Sequence, residues 1–413
     1  MINLSLAASE RLKGKFDRLL ARAFINFTTL ALAASGCVRP PAVSPEKAFR
    51  EVAPTEIEVG DDLDLSGLAE AITLQQGALK KSAQAVMRFG PVTISRADYS
   101  AALDKLLAQL SSTQSATVTL DYIKNNFRFF EFYGGREWGE VLLTSYFEPV
   151  IPGSVRRSER FSQALYARPS DLVVIDLKQF SPRFKDEGSL RGRINQGRVV
   201  PYFSRSEIDD EKALEGKRLE LCWVDPIDAF FAHIQGSCTV TLQNGKDLHV
   251  TYADKNGLKY EPIGKYLKEQ IAPNRVTMQR IEAVARDMTP AERSALFAKN
   301  PSYVFFTISR QRALTSLGVP ATPGRTIAAD PRFAPKGALA LISFNKPVVP
   351  NNWRLSDGDP PTTRATRLVV DQDSGGAITG TDHIDLFWGR GDEAKRVAGI
   401  LQDRARIVYL APK

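Results

Sequence analysis

The 413-residue sequence predicts a mainly β chain with helices, of the α+β class. Three observations carry this expectation. Runs rich in β-branched residues, "DLVVID", "RLELCWV", "SYVFFTIS", "GALALISF" and "ATRLVVDQD", suit pleated strands. Apolar residues recur at three- and four-residue spacing from Leu63 to about Ser112 and again from Val276 to Asn300, the pattern of amphipathic helices. An apolar fraction of 43% is ample for buried cores, and the length suggests two or three domains.

Taken from the amino end, the first element is an export signal. Arg11, Lys13, Lys15, Arg18 and Arg22 precede the apolar segment "AFINFTTLALAASGC", a basic region followed by an apolar one with small residues at its end. No other segment approaches the roughly 20 apolar residues of a membrane-spanning helix. Ala34-Ser35-Gly36-Cys37 resembles a bacterial lipoprotein box, although Ala34 stands where the box usually has leucine. That resemblance implies lipidation of Cys37 after removal of residues 1–36. Because Val38 is not the aspartate of inner-membrane retention, it also implies the periplasmic face of the outer membrane of a Gram-negative cell. A plain secretion signal cleaved near Ala34 is the alternative. The proline-rich "VRPPAVSPEKAFREVAP" that follows reads as an unpacked tether over 37–60.

The formal charge is +8, of which the signal holds +3, leaving a mild surplus that reads as solvated surface with no nucleic-acid partner. Apart from Cys37, only Cys222 and Cys238 remain. An oxidising compartment would let them pair, yet Cys222 lies in an apolar strand, so two inert thiols fit equally well.

Further along, "YSAALDKLLAQL" belongs to two or three amphipathic helices, and strands begin beyond "SYFEPVIPGS". Asn244-Gly245 between two alternating runs predicts a tight hairpin, since both residues tolerate positive φ. Thr289, Pro290 and Glu292 mark a helix start: a cap, a first-turn proline and a carboxylate that reaches back. A short helix from about Glu393 to Leu401 and a last strand, "RIVYLA", close the chain.

Familiar catalytic signatures are absent. His233, His249 and His383 lie far apart, with no H-E-x-x-H, CxxC or G-x-S-x-G, so no metal site is expected. "WGRGDEA" matches G-x-G-x-x-A, but Asp392 and Glu393 would repel a pyrophosphate at the helix start. What remains is three aspartates, Asp330, Asp373 and Asp385, each after an apolar strand-like run. Gly375-Gly376 permits close backbone approach, and Phe387 and Trp388 offer flat surface beside Asp385. Such a set suits sugars, whose C–H faces stack on aromatic rings and whose hydroxyls need carboxylate and backbone partners. Asp385 sits within the apolar run Ile384 to Trp388, where burial raises a carboxyl's pKa.

Seven stretches, "SYFEPVIPGS", "GRVVPYFSRSEI", "WVDPIDAFFAHIQGS", "NPSYVFF", "TPGRTIAADP", "QDSGGAITG" and "DLFWGRGDEAKRVAG", resemble in order the motifs of the membrane-bound lytic murein transglycosylase A family. They run from about Tyr146 to Pro412. The resemblance implies a double-psi β-barrel domain and a smaller inserted β-domain with a deep groove between them. It divides the chain into 61–154, a helical amino-terminal part of the barrel domain; 155–265, the insert; 266–310, a helical connection; and 311–413, the three-aspartate barrel. It implies cleavage of the β-1,4 bond between N-acetylmuramic acid and N-acetylglucosamine of peptidoglycan glycan strands, leaving a 1,6-anhydro end, with no cofactor or metal. Asp385 matches the family's single acid/base, Asp373 and Asp330 the supporting pair, and Tyr146, Glu148, Gln235, Gly236, Ser237, Gly375, Gly376 and Trp388 the groove. Cys238 stands where the family commonly has glycine. Oligomeric state is open, a monomer being expected. A hydrolytic muramidase and a non-catalytic wall-binding lipoprotein are the competing readings.

Overall fold

The computed structural model describes residues 43–413 apart from 82–84, 114, 136, 185–187, 273–275 and 311–313. The export segment and Cys37 lie outside the described residues. Strands open with β1 (Phe49–Val52), β2 (Val86–Phe89), β3 (Val92–Ser95), β4 (Phe127–Phe132), β5 (Glu140–Glu148) and β6 (Val150–Ser154). They continue with β7 (Gln163–Tyr166), β8 (Val173–Ile175), β9 (Leu190–Asn195), β10 (Arg198–Pro201), β11 (Glu220–Val224), β12 (Ser237–Leu242), β13 (Asp247–Lys255) and β14 (Val304–Ser309). β15 (Thr326–Ala328), β16 (Leu339–Pro347), β17 (Thr362–Asp373), β18 (His383–Arg390) and β19 (Gln402–Pro412) end the chain. Helices are α1 (Leu68–Lys81), α2 (Arg96–Ser112), α3 (Ala116–Asn126), α4 (Arg205–Asp209), α5 (Pro226–Gln235), α6 (Met278–Asp287), α7 (Pro290–Phe297) and α8 (Gly391–Ala398).

The larger sheet runs β1-β4-β19-β16-β17-β15-β18-β5, and β5 pairs back onto β19 from Gln402↔Thr144 to Arg406↔Glu140. Six strands, β19, β16, β17, β15, β18 and β5, therefore close a ring, which leaves them no free edges. Its strands are buried on both faces where helices cover the outside: Leu339 to Phe344 in β16 are all buried, which is why "GALALISF" reads as a continuous apolar run rather than an alternating one. On α2, buried Tyr99 donates its hydroxyl to the Leu410 carbonyl (2.9 Å) and accepts the Leu339 amide (2.8 Å), fastening helix to barrel.

Two expectations change here. The first helical zone is broken between α1 and α2 by the β2–β3 hairpin, which turns at Gly90 with φ +64°. The tether does not extend to residue 60, because β1 pairs with β4 and Ala48 and Phe49 are buried. Phe49 packs on Phe132 at 4.9 Å and Tyr409 at 5.4 Å, contacts that outweigh the unstructured tendency of the prolines before it.

A second sheet, β14-β13-β12-β6-β11-β7, forms the other domain, and an isolated bridge between Ala167 and Phe306 ties its two ends. Its strands run from Val150 to Ser309, wider than the expected 155–265. The expected helical connection 266–310 is also part of it: residues of α6 and α7, Ala285, Leu296 and Phe297, share a core with Ile227, Phe230 and Phe231 of α5. Thr289 caps α7 and Glu292 reaches back to it, as the sequence predicts. The hairpin at Asn244-Gly245 forms too, but only Gly245 takes positive φ (+78°), and Asn244 instead accepts the Lys246 amide with its side chain. Cys222 and Cys238 are free thiols in this domain's core. Cys238 points into that core at 0% exposure, so its replacement of glycine does not reshape a surface.

Candidate active site

β18 and β5 run parallel with Asp385 opposite Thr144 and Phe387 opposite Tyr146. Opposed residues share one face of a sheet, and period two places His383 on that face as well. The side chains meet accordingly. Thr144 Oγ1 lies 3.0 Å from Asp385 Oδ1 and 2.8 Å from His383 Nε2, and the Tyr146 and Phe387 rings are 5.2 Å apart. Burial pushes the Asp385 carboxyl up to about 7; the Thr144 hydroxyl pulls it down somewhat, and the negative charge of Asp373 pushes it up again. Asp385 still keeps part of its surface exposed.

The other two aspartates are fully engaged. Asp373 accepts the Tyr146 hydroxyl on Oδ2 (2.7 Å) and the Ser316 and Ser374 amides on Oδ1 (both 2.8 Å). Asp330 accepts the Gly380 amide on Oδ2 (2.7 Å) and the Arg332 amide on Oδ1 (2.9 Å), and its carboxylate is paired with the Arg332 guanidinium. Burial would raise the Asp330 carboxyl, but Arg332 and the two amides outweigh it and hold it below the ordinary value. The two aspartates thus pin both ends of the loop carrying Gly375 and Gly376. The Asp330 charge is taken up by Arg332, and it is the charge of Asp373 that raises the Asp385 carboxyl further.

Several contacts between the barrel and the second domain lie near the aspartates. Gln235, at the end of α5, accepts the Phe147 amide at 3.0 Å. Arg390 lies 3.9 Å from Asp247. A Cβ on exposed Gly376 would come within 3.6 Å of Lys255 Nζ. Gly236 caps α5 in the left-handed region (φ +77°) and turns the chain into Ser237, so Gln235, Gly236 and Ser237 all lie at this junction, partly exposed. A cavity of about 430 Å³ lies on the second domain alone, lined by Val150 to Gly153, Arg160, Phe161 and Thr241 to Gln243, and includes none of the three aspartates.

Two expected groove residues sit differently. Glu148 is 3% exposed and accepts the Thr239 hydroxyl at 2.6 Å, so its carboxylate is buried rather than presented to a groove. Trp388 follows the opposite face of β18 from Asp385 and packs with Phe147, Met278, Ala394 and Ala398, with Arg367 5.4 Å over its ring. Phe387, the other expected platform, is buried against Tyr146.

Sequence reasoning missed Thr144, His383, Lys336 and Asp371. Asp371 is buried beneath the site, paired with Lys336 and accepting the Tyr409 hydroxyl at 2.9 Å, and Lys336 also donates to the Asp373 carbonyl. His383 had a usable signal, its position two residues before Asp385 in a strand. Thr144 had none, since it is 241 residues from its partner.

Comparisons with known proteins bear on the fold and the family. The model of the MltA specific insert domain matches residues 142–307 and that of the 3D domain matches 325–411. The chain is similar to the membrane-bound lytic murein transglycosylase A of Escherichia coli K12, 30% identical over 283 residues, 67% of each chain. Among solved structures it is similar to a membrane-bound lytic murein transglycosylase from Agrobacterium tumefaciens, with TM-score 0.71 and 26% identity over 88% of this chain and 98% of that one. It shares its fold with Escherichia coli MltA bound to chitohexaose, with TM-score 0.66 and 23% identity over 91% of this chain and 97% of that one. The first match spans the strand-rich second domain with most of β5, the second spans β15 to β19 of the barrel, and the chain belongs to the membrane-bound lytic murein transglycosylase A family.

Proposed function

We propose that this chain is a lytic transglycosylase that cleaves the β-1,4 bond between N-acetylmuramic acid and N-acetylglucosamine in peptidoglycan, using Asp385 alone as acid and then base. The observation that carries this reading is the state of the neighbouring carboxylates. A two-carboxylate glycosidase needs a second free carboxylate as nucleophile or base. Asp373 has both oxygens occupied by Tyr146 and two backbone amides. Asp330 is held by Arg332, and Asp371 is buried against Lys336.

Asp385 begins protonated and gives its proton to the glycosidic oxygen as the C1–O bond breaks. An oxocarbenium-like centre forms at C1 of the muramic acid. The sugar's own C6 hydroxyl attacks C1, and the Asp385 carboxylate takes that hydroxyl's proton, restoring the acid. Atoms balance without water, and the tethered nucleophile has a high effective concentration. The chitohexaose bound by the Escherichia coli relative supports a β-1,4-linked amino-sugar chain as the ligand class. Lipidation of Cys37 and an outer-membrane location are part of the same reading, supported by the membrane-bound relatives.

The test is digestion of purified peptidoglycan followed by mass measurement of the muropeptides. An anhydro-muramic product is expected; a product heavier by one water makes the protein a hydrolase, and no product makes it a binder. Because the acid form carries the reaction, turnover should fall as pH rises past about 7. Tyr146→Phe removes one of the donors to Asp373 and should lower kcat roughly tenfold, the worth of a hydrogen bond to a charged group, with the unfolding midpoint as the check that the fold persists.

A further inference from the structure

We infer that the Thr144 hydroxyl is a shared donor that turns between His383 and Asp385 during turnover, and that His383 is the positioning residue that makes this exchange possible. The inference rests on the function proposed above and adds a residue to it. A threonine hydroxyl has one proton, yet Thr144 Oγ1 has two partners in reach, His383 Nε2 at 2.8 Å and Asp385 Oδ1 at 3.0 Å.

The imidazole's own bonding decides how the proton is shared. In the tautomer that carries its N–H on Nδ1, which the nearby Ala377 backbone favours, the Nε2 atom is bare and able to accept. Burial lowers the pKa of His383, against the upward pull of Asp382 and that backbone, so the ring stays neutral. While Asp385 holds its proton, it is a weak acceptor and His383 Nε2 is the better one. Once Asp385 becomes a carboxylate, a charge-assisted bond to it is stronger. The hydroxyl therefore points at His383 in the resting enzyme and swings about Cβ–Oγ1 to Oδ1 as the aspartate gives up its proton. No proton changes owner in the swing. It reverses when the C6 hydroxyl returns a proton to Asp385.

The two residues then act on Asp385 with opposite sign. Thr144 stabilises the carboxylate. His383 competes for the same donor and so favours the acid. The other groups facing this pair are few: β5 presents Thr144 and Tyr146, β15 presents Ala328 across from Asp385, the end of β17 presents Asp373, and the loop before β18 presents Asp382 and the Ala377 carbonyl. Asp373 and Asp382 are retained in every variant below, so their contribution is constant.

The experiment is a set of pH–rate profiles for release of anhydro-muropeptides from purified peptidoglycan. Thr144→Val should move the alkaline limb up by about one pH unit, and His383→Leu should move it down by about half a unit. His383→Gln keeps an acceptor near the Nε2 position and should bring the limb back toward wild type; Thr144→Ser should do the same for Thr144→Val and covers the case in which valine prevents folding. Shifts of the same sign, loss of kcat without movement of either limb, or glutamine behaving as leucine would overturn the inference. Asp385→Asn separates the two claims. If it is inactive while the limbs stay put, only the shared donor is wrong; if it turns over like wild type, the proposed function fails as well.

Discussion

Asp385→Asn is expected to fold, to bind glycan and to lose turnover by roughly 10³-fold, the scale of a removed general acid–base. Asparagine is nearly isosteric and can still accept from Thr144, so the strand pairing of β18 with β5 is undisturbed. The same substitution should make the protein more stable at neutral and alkaline pH. The folded pKa of about 7 lies above the unfolded value of about 3.9, so between these values the folded chain holds a proton that the unfolded chain has released. Stability then declines as pH rises through that window and the loss is complete above about 7, on the order of 4 kcal/mol at 1.36 kcal/mol per unit. Asparagine does not titrate and escapes the decline. Urea midpoints of the two proteins should therefore differ little at about pH 4 and clearly at about pH 8; equal midpoints at both would show that folding does not raise the Asp385 carboxyl.

Arg325→Met should be the most damaging substitution for the fold, costing about 3–5 kcal/mol because it leaves a buried carboxylate without its partner. Arg325 and Asp61 are both fully buried and paired. The guanidinium also donates to the carbonyls of Ser66 (2.8 Å) and Leu368 (2.7 Å), while Asp61 accepts the Leu368 amide at 2.9 Å. One ion pair thus fastens the turn at 61–66 to β17 at the point where β15 begins. Asp61→Asn combined with Arg325→Met should cost less than Arg325→Met alone, since no unpaired charge is left. Denaturant midpoints check both, and a loss below about 1 kcal/mol for the single variant would contradict the assignment, because that is the scale of an exposed pair.

How much of the site was legible depended on how local its signals are. Asp373 and Asp385 each follow an apolar run in their own strand, so the residues that place them on the barrel are their sequence neighbours. Asp330 was found the same way, but its partner was not legible, because Arg332 two residues on reads as ordinary surface charge until the two side chains are seen paired. Trp388 was taken for a sugar platform from its place beside Asp385 and from the family resemblance. Strand alternation then turned it to the face opposite Asp385. Glu148 read as a groove ligand, and Thr239 from a different domain sealed it.

By itself the sequence determined the elements that short stretches can specify: the α+β class, the capped start of α7 at Thr289, the hairpin at Gly245 and the apolar strands that carry the aspartates. These depend on backbone preferences and side-chain period, which act over a few residues. Only the tertiary structure decided that residues 49–52 form a strand against β4, that Asp373 and Asp330 are spent on the loop of Gly375 and Gly376, and that Thr144 stands between His383 and Asp385. Each of these is a contact between distant parts of the chain, made when strand pairing and ring closure bring them together, and no local preference in either partner records it.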